Sequence, residues 1–315
     1  SLEGTLPTDL ASLTALTKLS IFDNSFNGTL PKELGDMMAM EELFASSNKF
    51  VGSLPVELMQ LTKLVLLDID GNRLTGTIPS ELGNLTDLEG IDVNSNLFTG
   101  TIPTEVGLLT SLTYLDVSKN AFDGTLPTEL GQLTNMTELL LKSNSFTGIL
   151  PTELGNLTSM TVFDISVNNL TGTLPTELGQ WIGLESFLAY QNDFTGTLPT
   201  ELGAWNILVD LSVNRNRLDG TVPTEFGRLG AMMTLDISMN ALTGVLPTEL
   251  SQLSDLVQFS FYQNNLTGSV NDILCLEGAE WDILEGDCSM DGSGQVEIEC
   301  TCCTACCTFN ESACI

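Results

Sequence analysis

The sequence predicts an α/β solenoid, in which short coils of equal length stack along one axis. The motif L-P-x-E-L-G recurs every 24 residues, and all 11 prolines fall at one position of that repeat. An asparagine column keeps the same spacing without any insertion. Its members are Asn24, Asn48, Asn72, Asn96, Asn120, Asn144, Asn168, Asn192, Asn216, Asn240 and Asn264.

Each coil is predicted to contain a strand and a short helical turn. Leu19 and Ile21 flank Ser20 in the two-residue period of a strand. The segment 30–34 suits a helical turn, because Pro31 stands near its start, where proline is tolerated. One coil alone cannot bury its apolar side, so stability must come from stacking on its neighbours.

The asparagine column is expected to form an internal ladder. A buried side-chain amide is costly without partners, so each should hydrogen-bond the backbone of adjacent coils. Trp181 and Trp205 occupy one apolar column and are predicted to fill the core.

The repeat resembles a known family. The segment "LTNMTELLLKSNSFTGILPTELGNL" is similar to the plant-type leucine-rich repeat, and the resemblance covers roughly residues 1 to 274. It implies a right-handed, curved superhelix with a parallel β-sheet on the concave face. A second short sheet and 3-10 or helical turns are implied on the convex side. The L-P-T-E-L-G wording and the final "CTCCTACC" also resemble secreted leucine-rich-repeat proteins of microalgae.

Two regions are predicted: residues 1–274, with eleven ladder repeats, and residues 275–315, a degenerate last coil with a disulfide-rich cap. In that coil Ile283 should keep the leucine position of the strand and Cys288 the asparagine position. Four disulfides in an oxidising compartment are expected, and a thiolate cluster for zinc or copper is the alternative. The eight cysteines are Cys275, Cys288, Cys300, Cys302, Cys303, Cys306, Cys307 and Cys314.

The charge balance narrows the possible functions. The chain has 10 basic residues, 41 acidic residues and no histidine, for a formal net charge of −31. Such a surface repels nucleic acids and anionic membranes. The sequence contains no apolar run of about 18 residues, so it predicts no membrane-spanning segment. Because histidine is absent, Ser-His-Asp and Cys-His arrangements are excluded, and we predict no enzymatic activity and no cofactor.

The concave face is the expected ligand site, since it is the usual binding surface of a solenoid. Tyrosine and arginine suit binding hot spots there. The predicted ligand-binding residues are Tyr114, Lys119, Tyr190, Gln191, Asn214, Arg215 and Tyr262. An acidic column after the prolines, from Asp9 to Glu249, predicts at most weak screening by Ca²⁺ and no dedicated metal site.

Seven N-x-S/T sequons are candidates for glycosylation. They are Asn27, Asn84, Asn135, Asn156, Asn169, Asn265 and Asn310. Asn84 and Asn156 are expected on the convex side, whereas Asn169 and Asn265 follow ladder positions and are expected to be less accessible.

We therefore predict a secreted, non-catalytic recognition or scaffold glycoprotein that binds protein or glycan ligands through its concave face, outside the cell or at the cell wall or surface. The alternative is a structural subunit that self-associates through an uncapped amino-terminal edge into head-to-tail fibres. A minor alternative is ice binding through threonine ladders such as Thr101 and Thr125.

Overall fold

A coil of this chain runs through a strand of one parallel sheet, a strand of a second parallel sheet and a 3-10 turn. We call the first of these the main sheet. The computed structural model describes residues 2–276, 280–287 and 298–306. Two units divide the chain, Ser1–Met160 and Thr161–Ile315.

In the first unit the main sheet contains six strands in chain order. They are Lys18–Ser20, Glu42–Phe44, Leu66–Asp68, Gly90–Asp92, Tyr114–Asp116 and Glu138–Leu140. The second sheet contains Glu3–Thr5, Ser25–Gly28, Lys49–Ser53, Arg73–Gly76, Leu97–Gly100, Ala121–Thr125 and Ser145–Gly148. The 3-10 turns are Thr8–Ser12, Lys32–Asp36, Val56–Gln60, Ser80–Asn84, Thr104–Leu108, Thr128–Gln132 and Thr152–Asn156.

In the second unit the main sheet contains Val162–Asp164, Ser186–Leu188, Asp210–Ser212, Thr234–Asp236, Gln258–Ser260, Ile283–Gly286 and Ala305–Cys306. The second-sheet strands are Asn169–Gly172, Asp193–Thr197 and Arg217–Asp219, followed by the pairs Thr243–Gly244 with Asn265–Leu266 and Gly268–Ser269 with Ile298–Glu299. The 3-10 turns are Thr176–Gln180, Thr200–Ala204, Thr224–Arg228 and Thr248–Gln252, and a short α-helix spans Asn271–Leu274. The parallel strands and repeated turns confirm the predicted α/β solenoid.

The ladder asparagines lie between coils. Asn48 Oδ1 accepts a hydrogen bond from the backbone N–H of Phe26 at 3.0 Å, and its Nδ2 donates to the carbonyl of Ile21 at 2.9 Å. Both partners belong to the preceding coil, so one amide ties two coils together. The same Oδ1 contact recurs at Asn24, Asn72, Asn96, Asn120, Asn144, Asn192, Asn216, Asn240 and Asn264.

Columns of aromatic rings fill the core of each unit. In the first unit Phe98 stacks on Phe122, with ring centroids 6.1 Å apart. In the second unit Trp181 and Trp205 are fully buried, and the Trp205 indole donates to the carbonyl of Leu178 at 3.0 Å. This bond satisfies the one polar group of the buried ring.

The last coil departs from the predicted register. Leu284 pairs with Phe259 and is fully buried, whereas Ile283 pairs with Gln258 and is exposed. The spacing from Phe259 to Leu284 is one residue longer than the 24 residues of the other coils. The prediction that Ile283 holds the leucine position was therefore wrong. Cys288, which was predicted to hold the asparagine position, lies outside the described residues.

Asp287 adapts the ladder to this longer coil. Its carboxylate accepts the backbone N–H of Gln263 at 2.8 Å and of Asn264 at 3.1 Å. In regular coils two backbone carbonyls of the next coil accept the equivalent bonds. The carbonyl of Ser46, for example, accepts the N–H of Asp23, and that of Ser47 accepts the N–H of Asn24. Burial raises the pKa of Asp287, and the two accepted hydrogen bonds oppose that effect.

Disulfides link the cysteines of the described tail. Cys275 pairs with Cys302 and Cys300 with Cys303, and Cys306 is also disulfide-bonded. The sulfur atoms of Cys275, Cys300 and Cys302 lie within 4.8 Å of one another. Sulfurs bonded in disulfides are not thiolates, so this arrangement favours bridges over a metal cluster. Cys288, Cys307 and Cys314, which were also predicted to form disulfides, lie outside the described residues.

Candidate ligand-binding face

The outward side of the main sheet carries side chains whose chemistry changes from coil to coil. In each strand the central residue faces the core: Leu67 is buried, whereas Leu66 and Asp68 beside it are partly exposed. The outward position before the central residue is held in the first unit by Lys18, Glu42, Leu66, Gly90, Tyr114 and Glu138. Since packing alone does not dictate these residues, this face can be specific for a ligand.

A pocket opens where that position is a glycine. We call it the Gly90 pocket, with a volume of about 240 Å³, lined by Phe44, Leu66, Leu67, Asp68, Gly90, Ile91, Asp92 and Tyr114. Gly90 has no side chain between Leu66 on one neighbouring strand and Tyr114 on the other. The backbone of a strand therefore forms the floor, and the two larger side chains form the walls.

Carboxylates surround the aromatic wall of this pocket. The Tyr114 hydroxyl donates to Asp92 at 3.2 Å, and Asn94 Nδ2 donates to the other oxygen of Asp92 at 2.7 Å. Ser46 donates to Asp68 at 3.0 Å. These bonds fix the orientation of both carboxylates toward the outward side of the sheet.

Burial and mutual repulsion raise the pKa values of this group. Burial is the first cause at Asp92 and also at Asp70, whose pKa rises to about 6 with help from its hydrogen bond to Asp68. Burial and the neighbouring carboxylates raise the pKa of Tyr114, so its hydroxyl stays protonated and remains a donor. The face thus holds negative charge that is only partly compensated.

The second unit has its own acidic positions on the main sheet. Burial raises the pKa of Asp210 and of Asp236, and bonds from Ser212 and Ser238 oppose it. Ser238 Oγ donates to Asp236 at 2.6 Å. These neutral donors stabilise the carboxylates without neutralising them.

The 3-10 turns present a different and uniform surface. Along most of the chain, the threonine after the proline donates its hydroxyl to the following glutamate at 3.2–3.4 Å. The pairs begin at Thr104, Thr128, Thr152, Thr176, Thr200, Thr224 and Thr248. This repeated pairing gives the turn surface little chemical variety.

Comparison with known proteins identifies the fold family. Residues 15–37, 63–85, 111–133 and 135–157 match the family model described as Leucine Rich Repeat. A solved TDR receptor is 30% identical, with a TM-score of 0.85 over 90% of this chain and 50% of its own. This chain is a plant-type leucine-rich-repeat protein.

Two further solved structures similar to this leucine-rich-repeat protein are plant receptors with peptide hormones. RGFR1 in complex with RGF2 is 29% identical, with a TM-score of 0.84 over 90% of this chain and 47% of its own. The Arabidopsis receptor kinase HAESA ectodomain, bound to an IDA peptide hormone, is 28% identical, with a TM-score of 0.78 over 90% and 52%. The chain thus spans about half the length of these structures.

A search of curated proteins finds no match to this leucine-rich-repeat protein. Its resemblance to microalgal proteins remains a prediction. Within the described residues, every helix is too short or too polar to cross a membrane.

The predicted ligand-binding residues of this leucine-rich-repeat protein occupy two kinds of position. Tyr114 lies in a strand of the main sheet and forms a wall of the Gly90 pocket. Lys119, Gln191 and Arg215 lie instead in the turn before each ladder asparagine, with φ of 52–55°. These three side chains are exposed, but they lie beyond the ends of the main-sheet strands.

The other predicted residues lie in the second unit of this leucine-rich-repeat protein. The Gln191 N–H donates to the carbonyl of Asn214 at 2.9 Å, so these two are neighbours across coils. Tyr190 precedes Gln191 and is partly exposed, as is Tyr262 further along the chain. Sequence reasoning missed Phe44, Leu66 and Gly90. The signal was present, since Gly90 is the one glycine at its position among the regular main-sheet strands.

The sequon asparagines of the described chain are all exposed. This holds for Asn27, Asn84, Asn135, Asn156, Asn169 and Asn265. The expectation that Asn169 and Asn265 are less accessible was wrong, because a residue after a ladder asparagine points to the opposite side of its strand. Asn310 lies outside the described residues.

Proposed function

We propose that this protein is a secreted, non-catalytic recognition protein that binds a peptide or protein ligand on the outward face of its main sheet. The observation that carries the proposal is the contrast between the two surfaces. The outward sheet positions vary from lysine to glycine to tyrosine, whereas the turns repeat one Thr-Glu pair. Similar structures that hold peptide hormones support a peptide as the ligand class.

The test pans a display library of random peptides against the immobilised full chain. Enriched peptides should bind Tyr114→Ala or Tyr190→Ala at least tenfold more weakly, because aromatic hot spots contribute about 1–2 kcal/mol or more. Thr104→Ala and Thr200→Ala are matched controls on the turns, and they should bind like the parent chain. Equal loss in the turn variants, or no enrichment at all, would contradict the proposal.

Export through an oxidising compartment with glycan addition is the second part of the proposal. Disulfides in the tail and exposed sequons in both units support it. When a eukaryotic host directs the chain into its secretory route, an amidase that removes N-glycans should lower its mass. In the Asn84→Gln variant this loss of mass should be smaller by the mass of one glycan. An unchanged mass after enzyme treatment of the parent chain would refute glycosylation.

Among the residues that the structure describes, no specific contact favours fibre assembly or ice binding. The threonines three residues after Thr101 and Thr125 already donate their hydroxyls to carboxylates, as Thr128 does to Glu129. A charged column beside the hydroxyls does not suit the ordered water of an ice-like layer.

A further inference from the structure

The Gly90 pocket joins aromatic walls to carboxylates that have no basic partner. Within the described residues, neither Asp68 nor Asp92 takes part in an ion pair. Both carboxylates border a cavity of about 240 Å³ that Phe44 and Tyr114 also line. The pocket therefore has aromatic side chains on which a flat group can stack and the charge for a cation.

The coil before the pocket shows how a cation occupies such a surface. Lys18 Nζ lies 4.6 Å from the centroid of the Phe44 ring and 2.5 Å from a carboxylate oxygen of Glu42. A cation that contacts both a ring and a carboxylate is stabilised by both. On the pocket side of Phe44, none of the described lining residues is basic.

We propose that the Gly90 pocket binds the guanidinium group of an arginine side chain from a peptide ligand. A guanidinium is planar, stacks on aromatic rings and offers several N–H donors in a fixed fork. Asp68 and Asp92 are paired residues on neighbouring strands, and such strands lie about 4.8 Å apart. The two sides of the fork can therefore reach one carboxylate each. This inference rests on the proposed function, because it assigns one subsite of the same face.

Glycine is what makes this subsite available. A Cβ built on Gly90 would lie 2.7 Å from Leu66 Cδ2, so any larger side chain displaces Leu66 and fills the cavity. The atom it meets is the end of a flexible side chain, so Gly90→Val can close the pocket without disturbing the backbone. Burial raises the pKa of Asp92, and a bound guanidinium would lower it again.

The test uses the full chain with ¹³C-labelled tyrosine, which gives signals from three residues. The probe is N-acetyl-arginine amide, and N-acetyl-citrulline amide is the uncharged isostere. Arginine amide should shift the Tyr114 ring signals in a saturable manner and leave Tyr190 and Tyr262 unchanged. The citrulline compound should bind at least tenfold more weakly.

Two variants and a control decide the site. Gly90→Val and Asp92→Asn should each weaken the arginine response at least tenfold, and Asp92→Asn keeps the test valid if the valine variant misfolds. Asp210→Asn, on the main sheet of the second unit, should leave the response unchanged. An equal response to citrulline amide, or a Tyr114 shift caused by CaCl₂ and not by arginine amide, would overturn the proposal.

The outcomes also separate this inference from the proposed function. Library peptides that bind the sheet face without any Tyr114 response to arginine amide would overturn the pocket assignment and leave peptide recognition intact. A Tyr114 response with no enriched peptide would support the pocket and contradict peptide recognition.

Discussion

Replacing Asn216 with alanine should lower the free energy of unfolding by about 2–4 kcal/mol. The side chain is 9% exposed, and its Oδ1 accepts the Phe194 N–H at 3.0 Å. Its Nδ2 donates to the carbonyls of Ala189, Val213 and Asn214 at 3.0–3.3 Å. The cost depends on which of these partners loses its only bond.

The carbonyls keep other donors when the amide is removed. Ala189 still accepts from the side chain of Asn192, and Val213 from that of Asn240. The Phe194 N–H has no such second partner in the ladder. One unsatisfied buried N–H costs about 1–3 kcal/mol, and loss of the remaining bonds and of packing brings the expected total to about 2–4 kcal/mol.

The assay is urea unfolding followed by circular dichroism, with Asn206→Ala as the matched control. Asn206 is an exposed asparagine on a turn of the same unit, so its removal should cost less than about 0.5 kcal/mol. Asn216→Asp provides a second comparison, because it keeps the acceptor and loses the donors. If the two alanine variants unfold at the same urea concentration, the ladder does not stabilise the stack as argued.

Three other substitutions test separate features of the fold. Gly203→Ala should lower the free energy of unfolding in urea by about 1–3 kcal/mol, since the new Cβ would lie 2.5 Å from Glu225 on the neighbouring turn. Gly230→Ala, which has open space around its Cβ, should leave that free energy unchanged. Val167→Asn should raise the free energy of unfolding by about 1 kcal/mol, because a β-branched residue at φ 58° is strained. An unchanged free energy would refute that strain. Burial raises the pKa of Asp70 above its unfolded value to about 6, so its stabilising contribution is present at low pH and is lost as the pH rises through 6. Asp70→Asn should therefore raise the melting temperature at pH 7.5 more than at pH 4, and an equal change at both values, or the same pattern in the exposed control Asp87→Asn, would contradict this.

The repeating part of the fold was predictable because physical constraints recur with it. A position such as Asn96 must satisfy the same backbone groups in every coil, so its spacing reveals the coil length directly. The last coil was not predictable in the same way. Its extra residue becomes visible only when Leu284, rather than Ile283, is seen to enter the core.

The candidate site was predictable only in part, for a different reason. Tyr114 was found because an aromatic residue at an outward strand position is conspicuous. Gly90 was missed because a pocket made by an absent side chain needs the neighbouring strands to define it. Lys119 and Arg215 were assigned to the sheet because sequence spacing does not show where a strand gives way to a left-handed turn.

The ladder also determines how the length of such a chain can change. The side-chain amide of Asn48 bonds to its own coil and to the one before it, and this pattern recurs along the ladder. Duplicating or deleting one whole 24-residue segment would leave the neighbouring amides facing an equivalent backbone, whereas another length needs a substitute acceptor, such as Asp287 in the last coil. The breadth of the main sheet can therefore change by whole coils while the pattern of ladder bonds stays the same.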